Sequence, residues 1–140
     1  MPVSHAASRR SDCPISVSLD IFGDRWSLLV IRDLMFKGGE SFKDFLGAEE
    51  GIASNVLSDR LKRLETHGLI ERRRHPDDAR MQRYRLTGKG LDLAPVLVEM
   101  ILWAAKHERT AAPPAVVKLM RKNRARFLAG LRAGHERHSA

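Results

Sequence analysis

The chain has 140 residues and a mass of 15.8 kDa, enough for one domain with an appended element, and its 43% hydrophobic content is globular despite 30% charged residues. A net charge of +8 and a pI near 10.4 point to a polyanionic partner, either nucleic acid or an anionic membrane surface. With no run apolar enough to span a bilayer, no apolar signal segment in Met1 to Asp12 and a single cysteine, an internal disulfide is excluded and a reducing, cytoplasmic location is expected.

Residues 1–12 are small and polar and predict a flexible N-terminal arm. Cys13-Pro14 opens a first helix, because proline is well tolerated at the first helical position; Ile15, Leu19 and Phe22 form its stripe and Gly23 stops it. Asp24 is a good cap for a second helix with Trp26, Leu29, Val30 and Leu34 at helical spacing, and the two helices are expected to pack together. Ser41 caps a short third helix whose Phe42, Phe45 and Leu46 turn inward, and 47–51 makes the next turn.

The stretch 51–70 then organises the chain. On a helix, Leu57, Leu61 and Leu64 share one face, while Asn55, Ser58, Asp59, Lys62 and Thr66 share the other. Gly68 ends the helix by adopting the left-handed conformation. A hairpin follows, with strands at 69–74 and 81–86 around a turn at His75-Pro76-Asp77-Asp78 and a basic rim of arginines. A helix with one polar face beside a basic ribbon suggests a recognition helix, 53–67, for the DNA major groove and a wing, 72–85, for the backbone or minor groove.

Thr87 is a suitable cap for a long helix to about Arg109, kinked at Pro95. From Val96 to Ala105 nearly every position is apolar, which implies burial against a second surface, most simply that of a homodimer. After Ala112-Pro113-Pro114 a basic amphipathic helix from Ala115 to Leu131 is expected, with 133–140 disordered. That helix has three readings: docking onto its own domain or dimer mate, an arm on the DNA backbone, or membrane-surface binding. The expected organisation is an arm at 1–12, a DNA-binding and dimerisation domain at 13–109, and a linker with the C-terminal helix at 110–140.

In this order of elements the chain resembles winged helix-turn-helix regulators of the HxlR type. The likeness rests on Cys13-Pro14-Ile15, Leu19-Asp20, Gly23-Asp24-Arg25-Trp26, Leu34, Phe42, Leu57-Ser58-Asp59-Arg60-Leu61, Leu64-Glu65, Gly68-Leu69-Ile70, Tyr84, Leu86-Thr87 with Gly90, Leu93, Pro95-Val96-Leu97 and Trp103, about residues 13–105. It implies a mainly α fold with a small β-hairpin, and flanking helices forming a homodimer interface through Ile15, Leu19, Leu97, Ile101 and Trp103. It also implies a regulator, more a repressor than an activator, on a near-palindromic site in double-stranded DNA. The wing segment from Pro76 to Arg80 and from Tyr84 to Gly90 is also similar to MarR-type regulators. Where family members often carry serine after Ile52, this chain has Ala53, so the cap of the recognition helix falls to Ser54 or is lost.

Asn55 suits paired hydrogen bonds to adenine, and Lys62 and Arg63 suit guanine or phosphate. Ser54 and Ser58 permit close approach, and Asp59 is expected to meet cytosine or a neighbouring arginine. Arg74, Arg80 and Arg83 are the wing's candidates for phosphate or minor-groove contact. The alternative for all of these is a solvated face, or a winged helix that binds RNA or a protein. Cys13, at a helix start near Arg9 and Arg10, reads either as an acidified thiol or as a small buried residue at the dimer interface. The resemblance implies an oxidant or electrophile effector acting there. Trp26, Phe45 and Trp103 are expected in the core, with Trp103 also a candidate border for an effector pocket. No metal spacing, glycine-rich phosphate loop or nucleophilic-triad signature is present, so no cofactor and no catalysis are expected.

Overall fold

A computed structural model of the chain describes residues 9–78 and 80–139, with side chains through Glu136; the first eight residues of the expected arm and Ala140 lie outside them. Residues 9–12 form neither helix nor strand. Then come α1 (Pro14–Phe22), α2 (Ser27–Phe36), α3 (Phe42–Leu46), α4 (Ser54–Thr66), β1 (Ile70–Arg74), β2 (Gln82–Leu86), α5 (Gly88–Leu91), α6 (Ala94–His107), α7 (Pro114–Lys122) and α8 (Arg124–Ser139). This is a mainly helical winged helix-turn-helix, with α3 and α4 as the helix pair and β1–β2 as the wing.

The core sits where α4 lies over α2, α3 and the base of the wing. Ile31, Phe45, Leu57, Leu64, Ile70 and Leu86 are almost wholly excluded from water, and Leu61 and Leu69 nearly so. The leucine face of α4 therefore faces inward, each side chain contributing about 1.5–3 kcal/mol. The antiparallel wing pairs Ile70 with Leu86, Arg72 with Tyr84 and Arg74 with Gln82. Its open edge is partly covered, since Ser41 bridges to Arg83 and the Tyr84 amide donates to the Glu40 carbonyl at 2.6 Å.

Chain ends of the short helices are set by local chemistry. Ser41 and Asp44 form a reciprocal capping box on α3. At the end of α4, Gly68 has φ +75°, the Leu69 amide donates to Leu64 and the Gly68 amide to Glu65, which is the Schellman arrangement. Gly90 is required for a different reason: a Cβ there would lie 2.1 Å from the Leu69 carbonyl oxygen. The start of α4 has Ala53 as its cap residue and no side-chain cap, so Ser54 does not substitute for it.

Asp24 joins these elements. Its carboxylate accepts from the Trp26 amide at 2.9 Å, the Ser27 amide at 3.0 Å, the Ser27 hydroxyl, and Arg60 Nε at 2.8 Å. It thus caps the turn into α2 and ties that turn to α4. Partial burial acts to raise its pKa, but the Ser27 hydroxyl, the two amides and the Arg60 guanidinium outweigh it and hold the group at about 2.

Several expectations are corrected. The long helix is divided into α5 and α6, because Pro95 lacks an amide hydrogen and sits in the first turn of a new helix rather than at a kink. That second helix ends at His107, short of Arg109. The C-terminal helix is likewise two: the Asn123 amide closes α7 on Leu119, and its side chain accepts from the Arg126 amide at 3.2 Å to start α8. The latter continues through Ser139, in place of the disorder expected over 133–140. No residue of α1 is fully buried; Ile21 packs half-buried against the core, while Ile15 and Leu19 are exposed. Leu46 and Trp103 are exposed rather than inward, and Trp26 is only half-buried.

Ala53→Ser is expected to raise stability in urea unfolding by about 1 kcal/mol by supplying the missing acceptor; no gain would mean that the first amides of α4 are already satisfied. Asp24→Ala is expected to lower stability at pH 7 by about 2 kcal/mol. The Asp24 pKa is depressed from roughly 3.9 in the unfolded chain, so its contribution is complete above that value and disappears as pH falls through about 2. The stability gap between parent and variant should therefore narrow over that acid range, and a gap independent of pH would refute the account.

Candidate nucleic-acid interface

The side of α4 opposite its leucines carries Ser54, Asn55, Ser58, Asp59, Lys62 and Arg63, all exposed. Their common orientation follows from the periodicity that buries Leu57, Leu61 and Leu64. Asp59 is held by the Arg60 guanidinium, the second of its two anticipated partners. Lys62 and Arg63 have no carboxylate partner among the described residues. Because the helix lacks a side-chain cap, its first amides and the positive end of its dipole lie beside Ser54 and Asn55.

The wing is less freely basic than its composition suggests. Arg72 faces Glu65 at 3.6 Å, Arg73 and Arg85 share Glu71 at 3.0 and 2.8 Å, and Arg80 lies 3.3 Å from Asp78 at the tip. Arg83, expected as a nucleic-acid contact, is half-buried and engaged with Glu40 at 2.9 Å, where it fastens the wing to the segment before α3. Among the described residues, Arg74 alone of these six arginines has no carboxylate partner. The Arg80 side chain is 92% exposed, so its pair is readily exchanged for another anion.

Arg60 is expected from sequence only as a neighbour for Asp59, yet its bond to Asp24 makes it central here. Its guanidinium is engaged by Asp24 and Asp59, so it sets the stance of α4 rather than offering a contact. Lys89 is a second such residue; its ammonium donates to the His67 carbonyl at 2.8 Å at the C-terminal end of α4, where a cation is favoured. Neither the Asp24 nor the His67 pairing has a signal in local sequence, since the partners lie 36 and 22 residues apart.

The residues expected at a subunit interface divide. Ile15 is 71% exposed, Leu19 57% and Trp103 65%, and Ile101 is half-buried. Leu97 is 6% exposed and belongs to the core, so it is not available to a second subunit. Met100 and Val96 are exposed on the same helix, and Trp103 lies beside His107 with ring centroids 5.1 Å apart. Cys13 is exposed at the cap position of α1, which excludes burial within the protomer. The amides of Ser16 and Ile15 lower its thiol pKa, a small opposing effect coming from desolvation; the expected influence of Arg9 and Arg10 is not the cause.

Comparison with known proteins agrees with this geometry. A model of the HxlR-like helix-turn-helix family matches residues 21–112, a span that includes the MarR-like wing tip. The uncharacterized HTH-type transcriptional regulator sll1512 of Synechocystis is 40% identical over 88 residues, 63% of this chain and 64% of its own length. The HTH-type transcriptional regulator YodB of Bacillus subtilis is 36% identical over 66% of this chain and 82% of its own. In structure, the reduced form of YodB superposes with a TM-score of 0.57 at 34% identity, over 69% of this chain and 95% of that one. YodB has also been solved in diamide-treated and quinone-bound forms. The crystal structure of PA1607 gives a TM-score of 0.67 at 34% identity, covering 76% of this chain and 73% of its own. The chain belongs to the HxlR-like helix-turn-helix family, a family of transcriptional regulators and not of enzymes.

Proposed function

We propose that this regulator is a repressor that binds a near-palindromic operator in double-stranded DNA as a homodimer, with α4 in the major groove and the wing against the backbone. The observation that carries this reading is the exposed face of α4, where Asn55, Ser58, Lys62 and Arg63 stand together on a helix fixed from behind by three buried leucines. Asn55 and Arg63 have the chemistry for base edges, and Lys62 for phosphate. The uncapped start of α4 favours a phosphate oxygen at its free amides. In the wing, Arg74 and Arg80 are the side chains with charge to spare.

The homodimer is supported by unburied apolar surface on α1 and α6, from Ile15, Leu19, Met100 and Trp103. A twofold pair would present two copies of α4 to half-sites about one helical turn, or a multiple of it, apart. We further propose that Cys13 responds to oxidants or electrophiles. Its support is an exposed thiol with a lowered pKa and the existence of diamide-treated and quinone-bound forms of YodB.

Selection from random duplexes should return a palindromic site, and fluorescence anisotropy on that site should show affinity falling about a thousandfold or more between roughly 50 and 200 mM salt for six to ten phosphate contacts. Lys62→Ala and Arg74→Ala should each make the salt slope shallower by about one unit, the share of a single neutralised phosphate, whereas Arg83→Ala should leave the slope unchanged because its charge is engaged by Glu40. Equal retention of RNA and duplex, or an affinity flat in salt, would reject the operator reading. For the thiol, diamide or benzoquinone should release the parent from its duplex and leave Cys13→Ser bound; equal release of both proteins would remove Cys13 from the mechanism.

A further inference from the structure

A cleft of about 710 Å³ opens between the end of α2, the strands of the wing and α8. That size lies within the range of small-molecule sites, roughly 300–1,000 Å³. Leu34, Phe36 and Leu131, all half-buried, supply apolar surface, while Lys37, Arg73, Arg74, Arg83 and Arg85 supply positive charge. Arg73, Arg83 and Arg85 are paired with Glu71 or Glu40, leaving Arg74 and Lys37 without a carboxylate among the described residues. Unmatched cations beside a half-buried apolar floor select one chemistry.

We propose that this cleft binds an amphipathic monocarboxylate, with the acid group on Arg74 and the hydrocarbon body against Leu34 and Leu131. A guanidinium donates two parallel hydrogen bonds to a carboxylate, a geometry that a hydroxyl or an ester does not reproduce. A nucleic-acid backbone matches Arg74 but has no apolar group to cover the leucines. The α8 wall lies beyond residues 21–112, so the site is built by a segment outside the family match. Within that wall a Cβ on Gly130 would meet no atom within 4 Å, which leaves space for a ligand and gives a means of filling it.

Occupancy would set an anion against the same Arg74 that the proposed function gives to phosphate. That linkage rests on the DNA-binding reading, whereas the site does not. Isothermal titration of the full chain with decanoate, below its micelle concentration and without DNA, should give one saturable site per chain. Methyl decanoate should bind at least about tenfold more weakly, and Arg74→Gln should weaken decanoate by about tenfold, as expected when one charge-assisted hydrogen-bond pair is removed. Gly130→Trp should abolish binding while its circular dichroism and thermal unfolding match the parent. Absence of saturable binding, equal affinity for the acid and its ester, or undiminished binding by Arg74→Gln or by a folded Gly130→Trp would overturn the site. If decanoate binds but leaves duplex affinity unchanged, the linkage is overturned while the site stands.

Discussion

The burial of Leu57, Leu61 and Leu64 is the constraint from which the rest of the molecule follows. Rotating α4 by one residue would move these side chains toward water and carry Ser58 or Lys62 toward the core, a loss of several kcal/mol at roughly 1.5–3 kcal/mol per buried leucine. The core therefore selects a single rotation, and the polar face takes its direction as a consequence. Two further attachments hold the middle and the end of the helix. Arg60 reaches back to Asp24 near the turn into α2, and the bonds from Leu69 and Gly68 close the last turn where the wing begins. A contact surface needs such support because base readout depends on tenths of an ångström, whereas a loop or a frayed helix moves by more.

Charge works differently from apolar burial in this fold. The net charge of +8 says that an anion is attracted, but it does not say where. Pairing makes that choice: Glu65, Glu71, Asp78 and Glu40 engage arginines of the wing, and the polar face of α4 keeps Lys62 and Arg63 without a carboxylate among the described residues. Exposed ion pairs of this kind contribute only about 0–1 kcal/mol each to stability. Their larger effect is to hold the wing in one stance relative to α4 and α2, through Arg72–Glu65 and Arg83–Glu40. The wing is thus positioned by some of its arginines and leaves others for a ligand.

The helix-turn-helix and wing are readable in the sequence because their signals are local and periodic. Spacing of Leu57, Leu61 and Leu64, the Ser41 cap and the glycine at 68 each act within a few residues, and all are realised. The features that sequence leaves open depend on either competition or distance. Pro95 is compatible with a kink or with the first turn of a new helix, and only packing around Leu91, Ala94 and Leu97 decides between them. Asn123 fits the interior of one long helix by periodicity, although its side chain is a good acceptor for a helix start. Leu97 and Trp103 illustrate a different limit: on a helix apolar on most sides, periodicity leads one to expect two covered surfaces but does not say which side chain faces which. Here Leu97 faces the core and Trp103 faces out. The pairing of Arg60 with Asp24 and of Arg83 with Glu40 has no local trace at all.

The least self-sufficient element is α1. Helices shorter than about 12–15 residues are marginal in water, and this one has nine residues, none of them buried. Ile21 packs half-buried against the core, but Ile15 and Leu19 are exposed. In the proposed dimer the missing contacts come from the second subunit, so α1 would be ordered by association more than by its own fold. Cys13 stands at the cap position of this same helix, where the Ser16 and Ile15 amides stabilise its thiolate. An adduct on that sulfur would remove the charge from the helix start and add bulk beside the subunit contact. The proposed sensing and the proposed dimerisation thus act on one marginal helix, and a chemical change there has a short physical route to the separation of the two copies of α4.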